Sequence, residues 1–323
     1  MKKSIGAVLV LALVLGVFAS DGFGASTERV FLNIATSTTG GTFYAVGGNL
    51  AHMIGKYIPN TQATAEATAG GVENARLFKN KKANLATMPG DTLYNAVNGI
   101  SEFKNDGKIA IFQIAALYET PLQIVTLKKT TIKSIKDLKG KRVSIGAPGS
   151  STAIRAEIVL KAHGMTLKDI RPDSTTSTEA ASEMTDGRID AAFFASGAPM
   201  AAIMSIATQQ PIVMLSVEPD AMAKIEKEHP DLIKNVLKVG VYKGVDTETV
   251  CVANMAILSS HPDLSSDLVY QITKMIFEKK DEFVAAHKSL ADSFNEKTAI
   301  SQANVTPFHP GALKYYKEKG LIK

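Results

Sequence analysis

A single cysteine, Cys251, stands in a chain of 323 residues. That scarcity excludes an internal disulfide, so the fold must rest on a packed core. With no nucleophile motif around it, the cysteine in TVCVANMAIL reads as a small buried apolar residue. Basic clusters are missing as well. The formal charge of +5 is spread along the chain, and no Lys/Arg run is interleaved with aromatics, so no nucleic-acid partner is expected. Lys79, Lys81 and Lys82 mark one solvated helix face. There is no GxSxG elbow, no HExxH and no Walker loop. The six histidines, His52, His163, His229, His261, His287 and His309, show no metal-ligand spacing. No cofactor, no metal and no catalytic residue is therefore expected. Beyond the N-terminus, no segment is apolar enough to cross a membrane.

The one long apolar run opens the chain. Lys2 and Lys3 precede Ile5–Ala19, which contains no polar residue, and Ser20, Gly22, Gly24, Ala25 and Ser26 follow. A charged start, an apolar centre and a small-residue zone make a signal peptide over residues 1–25, cut near Gly24–Ser26. An uncleaved anchor is the competing reading, but the run is shorter than the roughly 20 residues a bilayer requires. The expected product is a soluble periplasmic protein of roughly 300 residues, long enough for two domains.

The rest of the chain shows one pattern written twice. Phe31–Ala35 reads as a short buried strand, followed by a loop over Thr36–Thr42. Val46, Leu50, Ile54 and Tyr57 then recur at helical spacing. A second helix carries Val72, Leu77 and Phe78; Leu85–Met88 is a strand; Pro89-Gly90 turns the chain. Asp91 can cap a helix that Gly99 ends. In the middle of the chain, Arg142–Gly146 is strand-like and Ala147–Thr152 a loop. Ile154, Ile158, Val159 and Ala162 make a helix stripe, TEAASEMTDGRID another helix, Asp190–Ala195 a strand and Ser196–Pro199 a loop. The separation of Gly41 from Gly90 is matched, within one position, by that of Gly149 from Gly197. Alternating strands and helices imply mostly parallel sheets covered on both faces. Two such units predict an α/β fold of two lobes, 26–120 plus 250–323 and 121–249. Leu122–Leu127 and Thr249–Leu258 are the expected paired strands crossing between them. A later helix is expected to open near His261-Pro262-Asp263.

In open α/β sheets, ligands bind beyond the carboxyl ends of strands. Four loops occupy that position here, each before a helix start, where free N–H groups and a partial positive charge favour an anion. The candidate ligand-binding residues are Ser37, Thr38, Gly40, Gly41, Thr42 and Tyr44 in the first loop and helix. Pro89 and Gly90 follow in the second, Ser150, Ser151 and Thr152 in the third, and Ser196, Gly197 and Ala198 in the fourth. Asn74 can offer an amide. None of the four loops contains Lys or Arg, so dipoles and hydroxyls would hold the anion. Arg76 and Arg155 sit inside helices and are expected at the surface. Gly, Ser and Thr also fill loops and cap helices with no ligand involved.

Five blocks, GGTFYAVGGNLAHMI, TAGGVENARLFKNKKANLA, KGKRVSIGAPGSSTAIRAE, DAAFFASGAPMAAI and HPGALKYYKEKGLI, together resemble the TAXI subgroup of TRAP transporter solute receptors. The resemblance covers nearly the whole chain after the N-terminal run. It implies a two-lobed periplasmic-binding-protein type II fold with two crossover strands and an interlobe ligand cleft. It also implies capture of a small organic anion or amino acid, such as glutamate, 2-oxoglutarate or a related carboxylate. The ligand would pass to a membrane-embedded TRAP permease; a monomer is expected. The family's GG-T-Y-Y block maps to Gly40, Gly41, Thr42, Phe43 and Tyr44, and its GG-S-V-E-N block to Gly70–Asn74, without the serine. Two departures bear on the ligand. Pro89-Gly90 stands where many relatives have Gln-Ser, and Ser151 stands where many have Gly. The enzyme alternative is an exported serine-dependent hydrolase on the same fold, using Ser150 or Ser151.

Overall fold

The computed structural model describes residues 29–229, 231–303 and 305–323. The expected signal peptide and its cleavage zone lie outside the described residues. Two five-stranded sheets organise the chain. The first contains β1 (Val30–Ala35), β2 (Thr61–Glu66), β3 (Leu85–Pro89), β4 (Phe112–Glu119) and β12 (Met255–Ser260), in the order β2-β1-β3-β12-β4. The second contains β5 (Leu122–Leu127), β6 (Arg142–Ser144), β7 (Arg171–Asp173), β8 (Ala191–Ala195) and β9 (Ile212–Met214), in the order β7-β6-β8-β5-β9. β10 (Ile233–Leu237) and β11 (Thr249–Ala253) form a separate antiparallel pair. Within each sheet three strands are parallel, β2-β1-β3 and β7-β6-β8, and the strand beside them runs antiparallel.

Six helices follow the six parallel strands. They are α1 (Thr42–Tyr57), α2 (Gly71–Lys79), α3 (Gly90–Asn98), α4 (Ser151–Ala162), α5 (Ser177–Thr185) and α6 (Ala201–Gln209). α7 (Pro219–Glu228) precedes β10. After β12 come α8 (Ser266–Glu278), α9 (Lys280–Val284), α10 (Lys288–Ser293), α11 (Glu296–Ile300) and α12 (Pro310–Glu318). Each sheet is buried on both faces, as parallel strands require. Leu32, Ile34, Leu50, Ile272 and Tyr316 pack on one side of the first sheet, and Ala35, Val72, Phe78, Leu93 and Ile257 on the other. The second sheet separates Ile124, Val143, Val159 and Phe193 from Val125, Met184, Phe194 and Ile203. Cys251 is fully buried, and burial pushes its thiol up to about 12.

The crossovers differ in detail from the sequence reading. Leu122–Leu127 lies wholly in the second sheet; the chain passes over between β4 and β5, at Thr120-Pro121. Thr249–Leu258 is not one strand. It breaks at Asn254 into β11 and β12, and Val252 packs in the second sheet's core. The break has a local cause. Thr120 N–H donates to Asn254 O at 2.7 Å, and its hydroxyl donates to Asn254 Oδ1 at 2.6 Å, which ties the two crossovers together at one point. α8 begins at Ser266, not near His261-Pro262-Asp263, because Ser265 supplies the cap, accepting from Leu268 N–H. The strands β2 and β4 carry too few or too many apolar residues for the alternation that marks a half-buried strand. β2 reads TQATAE and β4 FQIAALYE.

Candidate functional site

The carboxyl ends of β1, β2, β3, β6, β7 and β8 all face the gap between the sheets, so six helices begin there. Ser37, Thr38, Gly41, Gly70, Gly71 and Pro89 from one lobe meet Ser150, Ser151, Thr152, Ser177, Ser196 and Met200 from the other around one cavity. Three helix N-termini from each lobe thus converge. α1, α2, α3 and α6 have no side chain of the N-cap residue bonded to the first turn; Thr42 N–H of α1 and Thr92 N–H of α3 are taken by Ser196 Oγ and Asp91 Oδ1, and the remaining first-turn amides are the donors a guest can use. Gly70 shows why that rim needs glycine: its φ of 112° and ψ of −156° belong to a region open essentially to Gly alone. At Gly71 a Cβ would lie 2.5 Å from Pro89 Cδ and 2.8 Å from Ser151 Oγ.

The cavity is about 40 Å³, taken as the space open to the centre of a water-sized sphere. Expanded by that sphere's ~1.4 Å radius, a near-spherical space of this size holds a body on the order of 180 Å³, the share of about six waters. That is room for a small molecule.

Among the described residues one charged side chain lines the cavity, and the sequence reading placed it at the surface. Arg155 is 1% exposed. It rises one turn above Ser151 on α4. Its guanidinium donates to Thr120 O at 3.1 Å and to Asn254 Oδ1 at 2.7 Å, the two crossover residues. Its Nε lies 3.3 Å from Asp91 Oδ2. Asp91 therefore is not the cap of α3; Pro89 holds that position. Asp91 sits in the first turn, reaches across to Arg155 through one oxygen and accepts from Thr92 N–H at 2.6 Å through the other. The sequence did carry a signal for Arg155. It stands four residues after Ser151, and i,i+4 positions share one helix face.

The interlobe seam is hydrogen-bonded on both sides of the cavity. Thr92 Oγ1 and Ser151 Oγ are 2.8 Å apart. Thr42 N–H donates to Ser196 Oγ at 2.9 Å, and Thr42 Oγ1 donates to Gly197 O at 3.1 Å. The Ser196–Met200 loop is held from below by Gln123 Nε2, which donates to Ser196 O at 3.0 Å, and by Tyr242 OH, which accepts from Met200 N–H at 2.8 Å.

Not every candidate residue reaches the cavity. Ser37, Thr38, Gly41, Pro89, Ser150, Ser151, Thr152 and Ser196 line it. Thr42, Gly197 and Ala198 lie in the seam instead, Ala198 O accepting from Ser289 Oγ at 2.8 Å. Gly40 packs against Thr178 and Ala202 at the rim, and Gly90 faces Ile257 within the first lobe. Tyr44 is half-buried away from the cavity. The Asn74 amide is taken up inside its own lobe, donating to Thr36 O and Thr87 O at 2.7 and 2.8 Å and accepting from Thr68 Oγ1. Gly70, Gly71 and Ser177 were missed as candidates, though a glycine pair before a helix and the Thr176–Glu179 capping box were both legible. Ser150 Oγ accepts from Ala153 N–H as the cap of α4. Among the described residues, neither Ser150 nor Ser151 is hydrogen-bonded to a histidine.

The sequence profile of the NMT1-like family matches residues 34–320. The chain belongs to the NMT1-like family. Three solved structures resemble this NMT1-like protein. One is a protein of Bordetella bronchiseptica RB50, 17% identical, with 90% of this chain and 80% of that one covered and a TM-score of 0.52. The periplasmic aliphatic sulphonate binding protein SsuA from Escherichia coli is 13% identical, with 92% and 90% covered and a TM-score of 0.46. A TctC solute binding protein from Polaromonas is 15% identical, with 92% and 98% covered and a TM-score of 0.47. Two five-stranded sheets joined by two crossovers give the NMT1-like chain the two-lobed periplasmic-binding-protein fold. No helix among the described residues is long and apolar enough to cross a membrane.

His287 sits in the seam of this NMT1-like fold. His287 Nε2 faces Pro199 O at 2.9 Å, so that nitrogen carries the proton, and Nδ1 accepts from Ser289 N–H at 3.1 Å. Tyr118 stacks on the ring. Burial pulls the His287 pKa below the ordinary histidine value, and the Pro199 carbonyl opposes this only in part. A depressed folded pKa means that the stabilisation is complete above about pH 6.5 and is lost as the pH falls through the folded value. His309, lowered for the same reason, acts in the same window from within the first lobe. Interlobe closure, and with it ligand affinity, is expected to weaken as the pH drops below about 6.5. Titrations at pH 7.5 and 5.5 check this: His287→Gln should flatten the dependence, which His309 alone would not explain.

Proposed function

We propose that this protein is a periplasmic receptor that captures one small carboxylate between its lobes and hands it to a membrane permease. The convergence of six helix N-termini on one cavity carries the reading. Each first turn contributes about 0.3–1 kcal/mol toward an anion, and more when partly buried. Hydroxyls of Ser37, Thr38, Ser150, Ser151 and Thr152 add short hydrogen bonds. The N-terminal apolar run supports export. The five sequence blocks resembling TAXI receptors favour a TRAP permease, driven by an ion gradient, as the recipient, and glutamate, 2-oxoglutarate or a related carboxylate as cargo. We assign the lobes as residues 29–120 with 254–323, and 121–253, hinged at Thr120 and Asn254.

Closure follows ligand only as far as the ligand prefers the closed form. In the open form, the Thr42–Ser196, Thr92–Ser151 and Asp91–Arg155 contacts would all be broken, because each spans the lobes.

A thermal-shift panel of small carboxylates and amino acids tests the reading. Ligand at about a hundredfold over its dissociation constant adds about 2.7 kcal/mol of stability, a rise of several degrees. No shift with any compound of this class contradicts the proposal. Salt gives a second check. Arg155 is buried and the other contacts are dipoles, so affinity is expected to fall less than about threefold between low and high ionic strength. A steep loss would mean that exposed lysines hold the ligand.

A further inference from the structure

Arg155 and Asp91 together fix how much charge the cavity can accept. Among the described residues Arg155 is the one charged side chain on the cavity wall, and its 1% side-chain exposure leaves water little access to it. Its charge is already answered inside the protein by Asp91, whose own side chain is 11% exposed and which does not line the cavity. The two carry opposite unit charges 3.3 Å apart, so a guest beside Arg155 meets a nearly neutral pair. What remains positive is the set of helix N-termini, each equivalent to about half a charge and spread over several directions. A second full negative charge would have to sit near Asp91 in a poorly hydrated space, where repulsion is weakly screened.

We propose that Asp91 is a specificity-determining residue, and that by neutralising Arg155 it restricts the site to small carboxylates with one net negative charge. This rests on the carboxylate-receptor reading above. Lactate and pyruvate carry one carboxylate and one negative charge at neutral pH; succinate and 2-oxoglutarate carry two. The wild-type site favours the first pair. Asp91→Asn keeps the shape, and its amide oxygen can still accept from Thr92 N–H, but the amide nitrogen that replaces Oδ2 cannot accept from Arg155, and the opposing charge is gone. Arg155 is then free to serve a second carboxylate.

The test is calorimetric titration of these four compounds at pH 7.5 into the wild type, Asp91→Asn, and the double variant Asp91→Asn/Arg155→Gln. Expected results are a wild-type preference for the singly charged compounds and at least a tenfold rise in the doubly-to-singly charged affinity ratio in Asp91→Asn. The double variant should return that ratio to within threefold of wild type, an outcome that a purely structural role for Asp91 would not produce. An unchanged ratio in folded Asp91→Asn overturns the proposal. If Asp91→Asn does not fold, the wild-type ranking decides, because preference for succinate or 2-oxoglutarate over the singly charged pair is equally contrary. If none of the four compounds nor any other small carboxylate binds the wild type, the receptor reading itself fails, a result distinct from a wrong ranking.

Discussion

Replacing Arg155 by Met is expected to lower the unfolding free energy by about 3 kcal/mol and to reduce the ligand-induced rise in melting temperature. The side chain is among the largest fully buried ones in the protein. Its removal strands Asp91 without its partner and leaves Thr120 O and Asn254 Oδ1 without a charged donor. Breaking a buried pair from one side typically costs about 3–5 kcal/mol. The lower figure applies because the lobes can part and let Asp91 reach water, although the loss at the two crossover residues stays. Urea unfolding reads the first effect; the thermal shift with the best ligand reads the second. A variant with wild-type stability and the full wild-type response to ligand would show that Arg155 neither braces the crossovers nor faces the guest.

Gly71→Ala is the second large effect. The added Cβ would sit 2.5 Å from Pro89 Cδ and 2.8 Å from Ser151 Oγ, one on each side of the cavity mouth. Helix propensity alone would make Ala better than Gly in α2 by about 1 kcal/mol. Steric conflict should outweigh it. Proline is a stiff neighbour, so α2 and α3 must separate, costing about 1–3 kcal/mol. The Ser151 contact opposes closure directly, and affinity is expected to fall by about a hundredfold, as a 1 Å misfit in a positioned site can cause. Equal affinity in Gly71→Ala and wild type would mean that the two lobes do not close as tightly as the Thr92–Ser151 contact shows.

The architecture was largely legible because buried parallel strands leave an unmistakable pattern. Phe31–Ala35, Leu85–Met88 and Asp190–Ala195 are apolar runs bounded by polar loops, and the structure forms strands over nearly the same residues. β2, with its alternating small and hydroxylated residues, lies at a sheet edge and needs no apolar run, so it left no such trace. The lining of the cavity was legible where it consists of backbone and hydroxyls at strand ends. It was not legible where it depends on the other lobe. Nothing local to Arg155 announces that Thr120, Asn254 and Asp91, each from a different part of the chain, will surround it. Asn74 shows the reverse: an amide beside the cleft is fully taken by Thr36 O, Thr87 O and Thr68 Oγ1, contacts that sequence spacing could not reveal.

Crystallography of the protein with the best-binding carboxylate from the thermal-shift panel tests the central claim most directly. The ligand's carboxylate should lie within hydrogen-bond distance of first-turn amides from both lobes, those of α1 or α2 on one side and α4 on the other, with Arg155 beside it. A ligand seated on the outer surface of either lobe, or a closed cavity that the ligand does not enter, would contradict the account.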